Sequence, residues 1–242
     1  MATQRVDTLL VARGLCDSRE QAKRLIMAGE VLTGTERIGK SSQKVAEDAD
    51  LWVKERPKYV GRGGFKMEGA LQEFGIDPTG WTCADLGAST GGFTDCLLQH
   101  GAAKVHAIDV GTNQLVWKLR SDDRVVSKER FNARNLKVED IGERVKLVVM
   151  DLSFISLTKV LPSAFNILEE GGAVISLIKP QFELSRDEVG KGGIVREEEL
   201  HQKAVDKIRR FITEELGREW AGLTTSPITG TDGNVEFLAW MK

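Results

Sequence analysis

The sequence contains few of the residues that usually bind metals or cross-link a chain. Its 242 residues include only three cysteines and three histidines. Cys16, Cys83 and Cys96 are widely spaced and form no CxxC pair, which argues against disulfides and against a structural zinc site. The histidines are equally scattered, so the sequence predicts no metal centre.

Long apolar segments are also missing. No apolar run approaches the roughly 18 residues that a membrane span needs. The opening "MATQRVDTLL" lacks the basic and then apolar order of a signal peptide. These features favour a cytoplasmic protein that has no membrane partner.

The charge is unevenly distributed along the chain. The net charge of −2 says nothing by itself about a polyanionic partner. Residues 1–66, however, carry 13 Lys and Arg against 9 Asp and Glu. The N-terminal part is therefore the basic part, as expected for a module that docks on nucleic acid.

The first sixty residues predict two helices followed by a small sheet. Val6, Leu9 and Leu10 have helical spacing and precede a glycine, which is typical of a short helix. Ser18 and Gln21 form a capping-box pattern, which predicts a second helix from about residue 19 to 28. The segments that follow alternate like short strands joined by Gly and Ser turns.

This order of elements, with "RVDTLLVARGLCDSREQAKRLIMAGEVLTG", resembles the S4 RNA-binding domain. In that family the second helix and the start of the next strand lie on RNA. Phosphate contacts of this kind fix position without reading sequence. The resemblance implies such contacts from Arg5, Arg13, Arg19, Lys23 and Arg24.

The basic, glycine-rich stretch "RPKYVGRGGFK" marks a boundary. We predict an S4-like domain over residues 1–57, a linker over 58–65 and a second domain over 66–242. Arg62 in the linker is a further candidate RNA contact.

From Trp81 onward, apolar runs alternate with helical stretches, which predicts a mainly parallel sheet covered on both faces. The predicted helices include residues 113–120, 157–170 and 197–216. The last two strands are joined by "ITGTDGN" without a helix, so the final strand should be antiparallel. The predicted fold is α/β, with a seven-stranded Rossmann-like sheet behind a small N-terminal α+β domain. The predicted strands lie near 81–86, 104–110, 124–129, 146–152, 172–179, 219–227 and 236–242.

The first strand-to-helix turn of this sheet is "DLGASTGGFTD". Ligands of doubly wound sheets bind beyond the carboxyl ends of the strands, where this turn lies. Gly87, Gly91 and Gly92 fit neither the GxGxxG nor the GxxxxGK[ST] spacing. The pattern therefore disfavours phosphate as the main ligand.

The ends of the next two strands favour a nucleoside. Asp109 can accept hydrogen bonds from two ribose hydroxyls, while Asn132 and the Ala133 amide can face an adenine edge. Together these features describe S-adenosylmethionine better than NAD or ATP, with another nucleoside as the alternative. The predicted cofactor contacts are Asp85, Gly87, Ala88, Ser89, Gly91, Gly92, Phe93, Asp109, Val110, Asn132 and Ala133.

Four charged residues lie at or near the same predicted edge of the sheet. Asp151, Lys179 and Glu236 occur at strand ends within apolar runs, and Lys66 opens the helix before the sheet. Burying such groups is unfavourable without a partner or a function. Each alone is compatible with a simple salt bridge, but together they indicate a catalytic site.

These four residues match, in order and context, the Lys-Asp-Lys-Glu tetrad of the FtsJ-like ribose 2′-O-methyltransferases. The whole chain, from "RVDTLL" to "VEFLAW", resembles the TlyA family of rRNA methyltransferases, also labelled haemolysins. The resemblance implies S-adenosylmethionine-dependent methylation of a ribose 2′-hydroxyl in ribosomal RNA, of a cytidine in 16S or 23S rRNA or both.

The reaction requires alignment of oxygen, methyl and sulfur together with removal of a proton. We expect Lys179 to lie nearest the hydroxyl, which it steers or deprotonates, and Asp151 to orient Lys179. Lys66 and Glu236 should complete the network and hold the target ribose.

Three other functions compete with this interpretation. Base N-methyltransferases commonly carry an Asn/Asp-Pro-Pro-aromatic stretch where this chain has "DLSF". A membrane-lytic haemolysin needs a long or strongly amphipathic apolar segment, which the sequence lacks. A non-catalytic RNA-binding protein with a retained cofactor pocket would not need the complete tetrad. No exposed apolar repeat stands out, so we expect a monomer.

Overall fold

The computed structural model describes residues 2–54 and 57–242. Its contacts divide the chain into two units, residues 1–57 and residues 58–242. Residues 58–65, which the sequence suggests as a linker, belong to the larger unit. Tyr59 is only 2% exposed, and a helix begins at Gly63. The segment is ordered because Tyr59 packs directly against the backbone of Gly64.

The smaller unit contains the predicted two helices and small sheet. Three of its strands form an antiparallel sheet in the order β3-β2-β5, and β1 pairs antiparallel with β4. The strand β1 was not expected from the sequence. A core that includes Val6, Leu10, Ile26 and Val31 joins the layers. The elements are β1 (Thr3–Arg5), α1 (Val6–Ala12), α2 (Arg19–Met27), β2 (Val31–Thr33), β3 (Glu36–Arg37), β4 (Lys44–Ala46) and β5 (Leu51–Val53).

The predicted cap of α2 is confirmed with one difference. The Ser18 side chain accepts a hydrogen bond from the Gln21 amide at 3.2 Å. The Gln21 side chain accepts one from the amide of Asp17, at 2.9 Å, and not from that of Ser18. Both bonds satisfy backbone N–H groups at the start of the helix.

The larger unit has the predicted seven-stranded sheet, in the order β11-β12-β10-β9-β6-β7-β8. The five neighbouring strands β10, β9, β6, β7 and β8 are parallel to one another. Strand β12 is antiparallel to both of its neighbours, β10 and β11. The elements are α3 (Gly63–Phe74), β6 (Thr82–Leu86), α4 (Gly92–Gln99), β7 (Lys104–Ile108), α5 (Trp117–Arg120), β8 (Val125–Lys128), α6 (Val138–Ile141), β9 (Val145–Met150), α7 (Leu161–Asn166), β10 (Leu168–Ile178), α8 (Pro180–Glu183), α9 (Glu198–Arg210), β11 (Trp220–Thr225) and β12 (Phe237–Met241).

The sheet is buried on both faces. Val148 of β9 packs into a cluster with Leu161 and Ile208. Its neighbour Val149 packs into a second cluster with Met67 and Leu97. Successive side chains of a strand point to opposite faces, so this alternation explains why the strands read as nearly continuous apolar runs.

Two predicted helices are shorter than expected. The one predicted over 157–170 ends at Asn166, and β10 already begins at Leu168. The Arg144 guanidinium donates to the carbonyls of Asn166 and Leu168, at 2.9 and 2.8 Å, and satisfies groups at this helix end. The helix predicted over 113–120 covers only Trp117–Arg120.

Candidate active site

The four charged residues of the sequence pattern meet at one cavity of about 690 Å³. The cavity lies beside the carboxyl ends of β6, β9 and β10 and the start of β12, as expected for a doubly wound sheet. The glycine loop after β6 lines the same cavity. The charged lining residues include Lys66, Asp151, Lys179 and Glu236.

Lys66 and Glu236 form a buried ion pair, although 170 positions separate them. The Lys66 Nζ and Glu236 Oε2 atoms are 2.5 Å apart, and the two side chains are 9% and 3% exposed. Lys66 lies in the first turn of α3, and Glu236 directly precedes β12. Charges buried to this extent are tolerated because each neutralises the other.

Asp151 and Lys179 form a second pair at the ends of the neighbouring strands β9 and β10. Lys179 Nζ lies 2.6 Å from Asp151 Oδ1 and donates to Ser153 Oγ at 3.0 Å. Each ammonium group in the site therefore has its own carboxylate.

The glycines of the loop are required by contacts within the protein. Gly87 has a φ of +85°, and a Cβ there would lie 2.8 Å from the Asp151 carbonyl oxygen. Gly91 has a φ of +100°, and a Cβ there would lie 2.2 Å from Leu119 Cδ1. Both conformations favour glycine. The loop thus lies directly on the end of β9, which places it beside Asp151.

Asp85 has one carboxylate oxygen that has no hydrogen-bond partner among the described residues. Its Oδ2 accepts hydrogen bonds from the Thr94 amide and hydroxyl, at 3.0 and 2.7 Å. Its Oδ1 is buried and accepts no hydrogen bond from the described residues. Burial, only partly offset by the Thr94 hydrogen bonds, raises the pKa of Asp85 to about 7. This residue also lines the cavity, so a donor group of a ligand would satisfy it.

Asp109 follows β7 and contacts the glycine loop. Its Oδ2 accepts from the Ser89 amide at 2.8 Å, and its Oδ1 accepts from the Gly111 amide at 2.7 Å. It lines a small depression that shares Ala88 and Ser89 with the main cavity. Asp109 is therefore held at the rim of the loop, where the sequence predicts a ribose.

Four other predicted cofactor residues do not line the main cavity, namely Gly91, Val110, Asn132 and Ala133. The Asn132 side chain accepts a hydrogen bond from the Arg134 amide at 3.1 Å. Ala133 packs into the core, and Val110 is exposed on the surface. Their contacts with an adenine remain predictions.

Several cavity residues were not identified from the sequence because most of them lie in loops, and Gln181 and Phe182 lie in the short helix α8, which is too short to show periodicity. Phe154 is the most conspicuous, since its side chain is 90% exposed and its φ is +63°. Its ring centroid lies 5.1 Å from that of Phe182. Phe154 and Phe182 each follow a strand end that carries a charged site residue. This position in the sequence is the feature that could have identified them. The missed lining residues are Gly63, Thr90, Ser153, Phe154, Gln181, Phe182, Val189, Gly192, Gly193, Thr229, Gly230, Thr231 and Asp232.

Two buried carboxylates support the site from behind. Asp95 accepts from the Val60 amide at 2.9 Å and holds the segment that leads into α3 and Lys66. Glu183 accepts from the Leu157 amide at 2.7 Å and pairs with Lys207 at 3.0 Å. These contacts fix the loop that follows Asp151.

The candidate RNA-binding arginines of the smaller unit are partly organised by one buried acid. Asp7 accepts hydrogen bonds from Arg5 Nε and Arg19 Nη2, both at 3.0 Å. The two guanidinium groups hold the pKa of this carboxyl well below its usual range. Lys23 and Arg24 lie exposed on α2.

Arg13 and Arg62 have additional contacts with the backbone. The Arg13 guanidinium donates to the carbonyls of Ala49, at 2.5 Å, and Glu47, so it closes the turn between β4 and β5. Arg62 donates to the Thr229 carbonyl at 2.9 Å and lines the cavity.

Within the described part of the chain, no helix has the length and apolar character needed to cross a membrane. The same residues contain no group of three or more His, Cys, Asp or Glu placed to hold a metal ion.

Comparisons with known proteins agree with this architecture. Residues 59–242 match the model of the FtsJ-like methyltransferase family, and residues 4–51 match the S4 domain. The chain is 46% identical over 241 residues to the 16S/23S rRNA (cytidine-2′-O)-methyltransferase TlyA of Mycobacterium tuberculosis, covering 98% of this chain and 89% of that protein. It is 44% identical over 236 residues to hemolysin A of Brachyspira hyodysenteriae, covering 97% and 98%.

A solved structure described as a hemolysin from Streptococcus thermophilus aligns with a TM-score of 0.74 and 46% identity, covering 100% of this chain and 88% of that one. The fold and site define a methyltransferase with a Rossmann-like catalytic domain. The chain belongs to the FtsJ-like methyltransferase family and carries an N-terminal S4 domain.

Proposed function

We propose that this protein is an S-adenosylmethionine-dependent enzyme that methylates a ribose 2′-hydroxyl of ribosomal RNA. The observation that carries the proposal is the meeting of two opposite-charge pairs and the glycine loop at one cavity. The name of the M. tuberculosis relative supports a cytidine of 16S or 23S rRNA as the target.

The residues at the loop suit S-adenosylmethionine. The Asp85 Oδ1 atom, which accepts no hydrogen bond from the described residues, can accept one from the ammonium of its methionine part. Asp109 lies at the rim of the loop, where its carboxylate can accept hydrogen bonds from the ribose hydroxyls. The bound cofactor supplies an electrophilic methyl group. The loop has no lysine for a phosphate chain, which favours this nucleoside over a nucleotide.

The two ion pairs act on different parts of the substrate. Lys179 positions the ribose hydroxyl, and Asp151 holds Lys179 and favours the positive charge gathered near the methyl group. The pair of Lys66 and Glu236 holds the target ribose in the same cavity. Positioning of the oxygen accounts for most of the rate enhancement.

The S4 domain, over residues 1–57, docks the enzyme on the RNA backbone. Its basic residues contact phosphates, which fixes position and gives salt-dependent affinity without reading the sequence. Selection of the nucleotide then depends on the shape of the ribosomal subunit.

The direct test uses labelled S-adenosylmethionine and unmodified small and large ribosomal subunits. We expect incorporation in at least one subunit, mapped to a single ribose 2′-oxygen. Incorporation only on bases, or none above protein-free controls, would overturn the proposal. Dye-filled vesicles test the lytic alternative, and we expect no release of dye.

The pKa of Asp85 makes cofactor binding pH-dependent. In the free protein this carboxyl has a pKa of about 7, and its carboxylate form is needed for the cofactor ammonium. As the pH falls below 7 a proton must be displaced, so the Kd for S-adenosylmethionine should rise up to about tenfold per pH unit. Calorimetric titrations between pH 5.5 and 7.5 measure this slope.

Asp85→Asn is the matched control, because it keeps the shape and removes the titration. We expect weaker binding with a flat pH profile. Since burial raises the folded-state pKa from 3.8 to about 7, the stability from this group is fully present below pH 3.8 and is lost as the pH rises from there through 7. The variant should therefore melt at a higher temperature than wild type at pH 8. A sloping binding profile in the variant would assign the titration to another group.

The S4 domain gives a second prediction about two classes of basic residue. Replacing the exposed Lys23 and Arg24 by alanine should weaken subunit binding and reduce the slope of log Kd against log salt by about two. Arg13→Ala should instead lower the melting temperature with less effect on that slope, because Arg13 holds carbonyls of its own domain. An equal slope change for Arg13 would place it on the RNA.

A further inference from the structure

Residues 185–195, here called the strap, form part of the cavity wall. Three of them, Val189, Gly192 and Gly193, line the cavity. Gly192 and Gly193 have φ values of +80° and +78°, which allow the chain to fold back at this point. The strap therefore reaches the active site although it contains no helix or strand.

The buried Asn234 side chain fastens the inner end of the strap, next to a contact of the His201 ring with the Val195 carbonyl at 3.0 Å. Asn234 is 1% exposed. Its Oδ1 accepts a hydrogen bond from the Val195 amide at 2.9 Å, and its Nδ2 donates to the Gly193 carbonyl at 2.9 Å. Both polar atoms of the Asn234 amide thus form hydrogen bonds with the strap. A buried polar group whose hydrogen bonds are all satisfied strongly favours one conformation, here that of the strap.

The outer end of the strap is fastened at the surface. Glu188 accepts hydrogen bonds from the Ser185 amide and hydroxyl, at 3.1 and 2.6 Å, and forms an ion pair with Lys203. The Lys203 side chain is largely exposed, so this ion pair contributes little. The buried amide at position 234 is the stronger of the two fastenings.

Asn234 also connects the strap to a tetrad residue. The Asn234 carbonyl accepts from the Gly230 amide at 2.9 Å. A Cβ on Gly230 would lie only 2.7 Å from Glu236 Oε1, so the turn at 230–234 packs directly on that carboxylate. The strap, this turn and the Lys66–Glu236 pair form one connected wall of the cavity.

The opposite wall is built independently of the strap. The glycine loop rests on the Asp151 backbone through Gly87 and is tied to Asp109 through Ser89. These contacts involve neither the strap nor the turn. A displaced strap should therefore leave the predicted cofactor wall intact.

From this geometry, and resting on the proposed RNA methyltransferase function, we infer that Asn234 is a positioning residue for the RNA substrate. It holds the strap as the substrate-side wall and aligns it with the carboxylate that is paired with Lys66. Loss of its hydrogen bonds releases the wall that receives the target nucleotide, without disturbing the cofactor wall.

The test compares Asn234→Ala with Lys203→Ala, which breaks only the exposed outer fastening. For Asn234→Ala we expect the KM for the unmodified ribosomal subunit that accepts the methyl group to rise about tenfold, as for a lost buried hydrogen-bond pair. We expect kcat within threefold and the Kd for S-adenosylmethionine within twofold of wild type. Lys203→Ala should stay within twofold on all three measures.

Hydrogen exchange of the Val195 amide reports on the fastening itself. It should be faster in Asn234→Ala and close to wild type in Asn234→Asp, whose carboxylate still accepts from Val195 but no longer donates to Gly193. The KM of the Asp variant should lie between wild type and the Ala variant.

Three results would overturn the inference. The first is a wild-type KM in Asn234→Ala, the second is an equal loss of cofactor affinity, and the third is unchanged exchange at Val195. Absence of transfer by the wild-type enzyme would instead refute the proposed function, so the two failures are distinguishable.

Discussion

Lys179→Ala is expected to lower methyl transfer about a thousandfold, the range for a residue that acts on the proton or oxygen of the attacking group. The affinity for S-adenosylmethionine should change less than threefold, because the Lys179 ammonium pairs with Asp151 and is not part of the glycine loop. Single-turnover transfer to the ribosomal subunit and calorimetric cofactor titration measure the two quantities separately.

Asp151→Asn should behave similarly, since it removes the charge that holds Lys179 while keeping the side-chain shape. Lys146→Ala is a matched control. Lys146, in β9, is also a lysine in an ion pair, with Glu169 at 3.3 Å, but it does not line the cavity. Near-wild-type transfer by Lys179→Ala, or an equal loss in Lys146→Ala, would refute the proposed role of Lys179.

Variants of the Lys66–Glu236 pair should distinguish its contribution to stability from its contribution to methyl transfer. Glu236→Ala leaves the Lys66 ammonium buried without its partner and should lower the free energy of unfolding by about 3 kcal/mol. The double variant Lys66→Met with Glu236→Leu removes both charges and should recover most of that loss. Urea unfolding measures both effects.

Methyl transfer should be strongly reduced in the single variant and remain so in the double variant. A restored fold without restored transfer shows that the pair is retained for catalysis. An active double variant would show that the pair is only structural, and a single variant of wild-type stability would show that the ammonium finds another partner.

The sheet and much of the site were predictable from the sequence because they depend on local patterns. Val148 and Val149 lie in a run that is apolar throughout, which is typical of a strand covered on both faces. Asp151 and Lys179 directly follow such runs, and parallel strands end at one edge of a sheet. Their meeting follows from topology alone.

The remainder depends on contacts that no local pattern encodes. Nothing around Asn234 indicates that its amide bonds residues about forty positions earlier. The end of α7 is set by Arg144, which is 22 positions before the carbonyl of Asn166. The contacts that require glycine at 87 and 91 are also non-local, since they are made with the backbone of Asp151 and the side chain of Leu119.

The place of β12 in the sheet has a consequence for biosynthesis. This late segment lies between β10 and β11, so residues 237–241 must leave the ribosome before the sheet can close. Glu236 directly precedes these residues. It therefore cannot pair with Lys66 before they have emerged. A nascent chain from which residues 237–241 have not yet emerged therefore lacks the Lys66–Glu236 pair at the cavity.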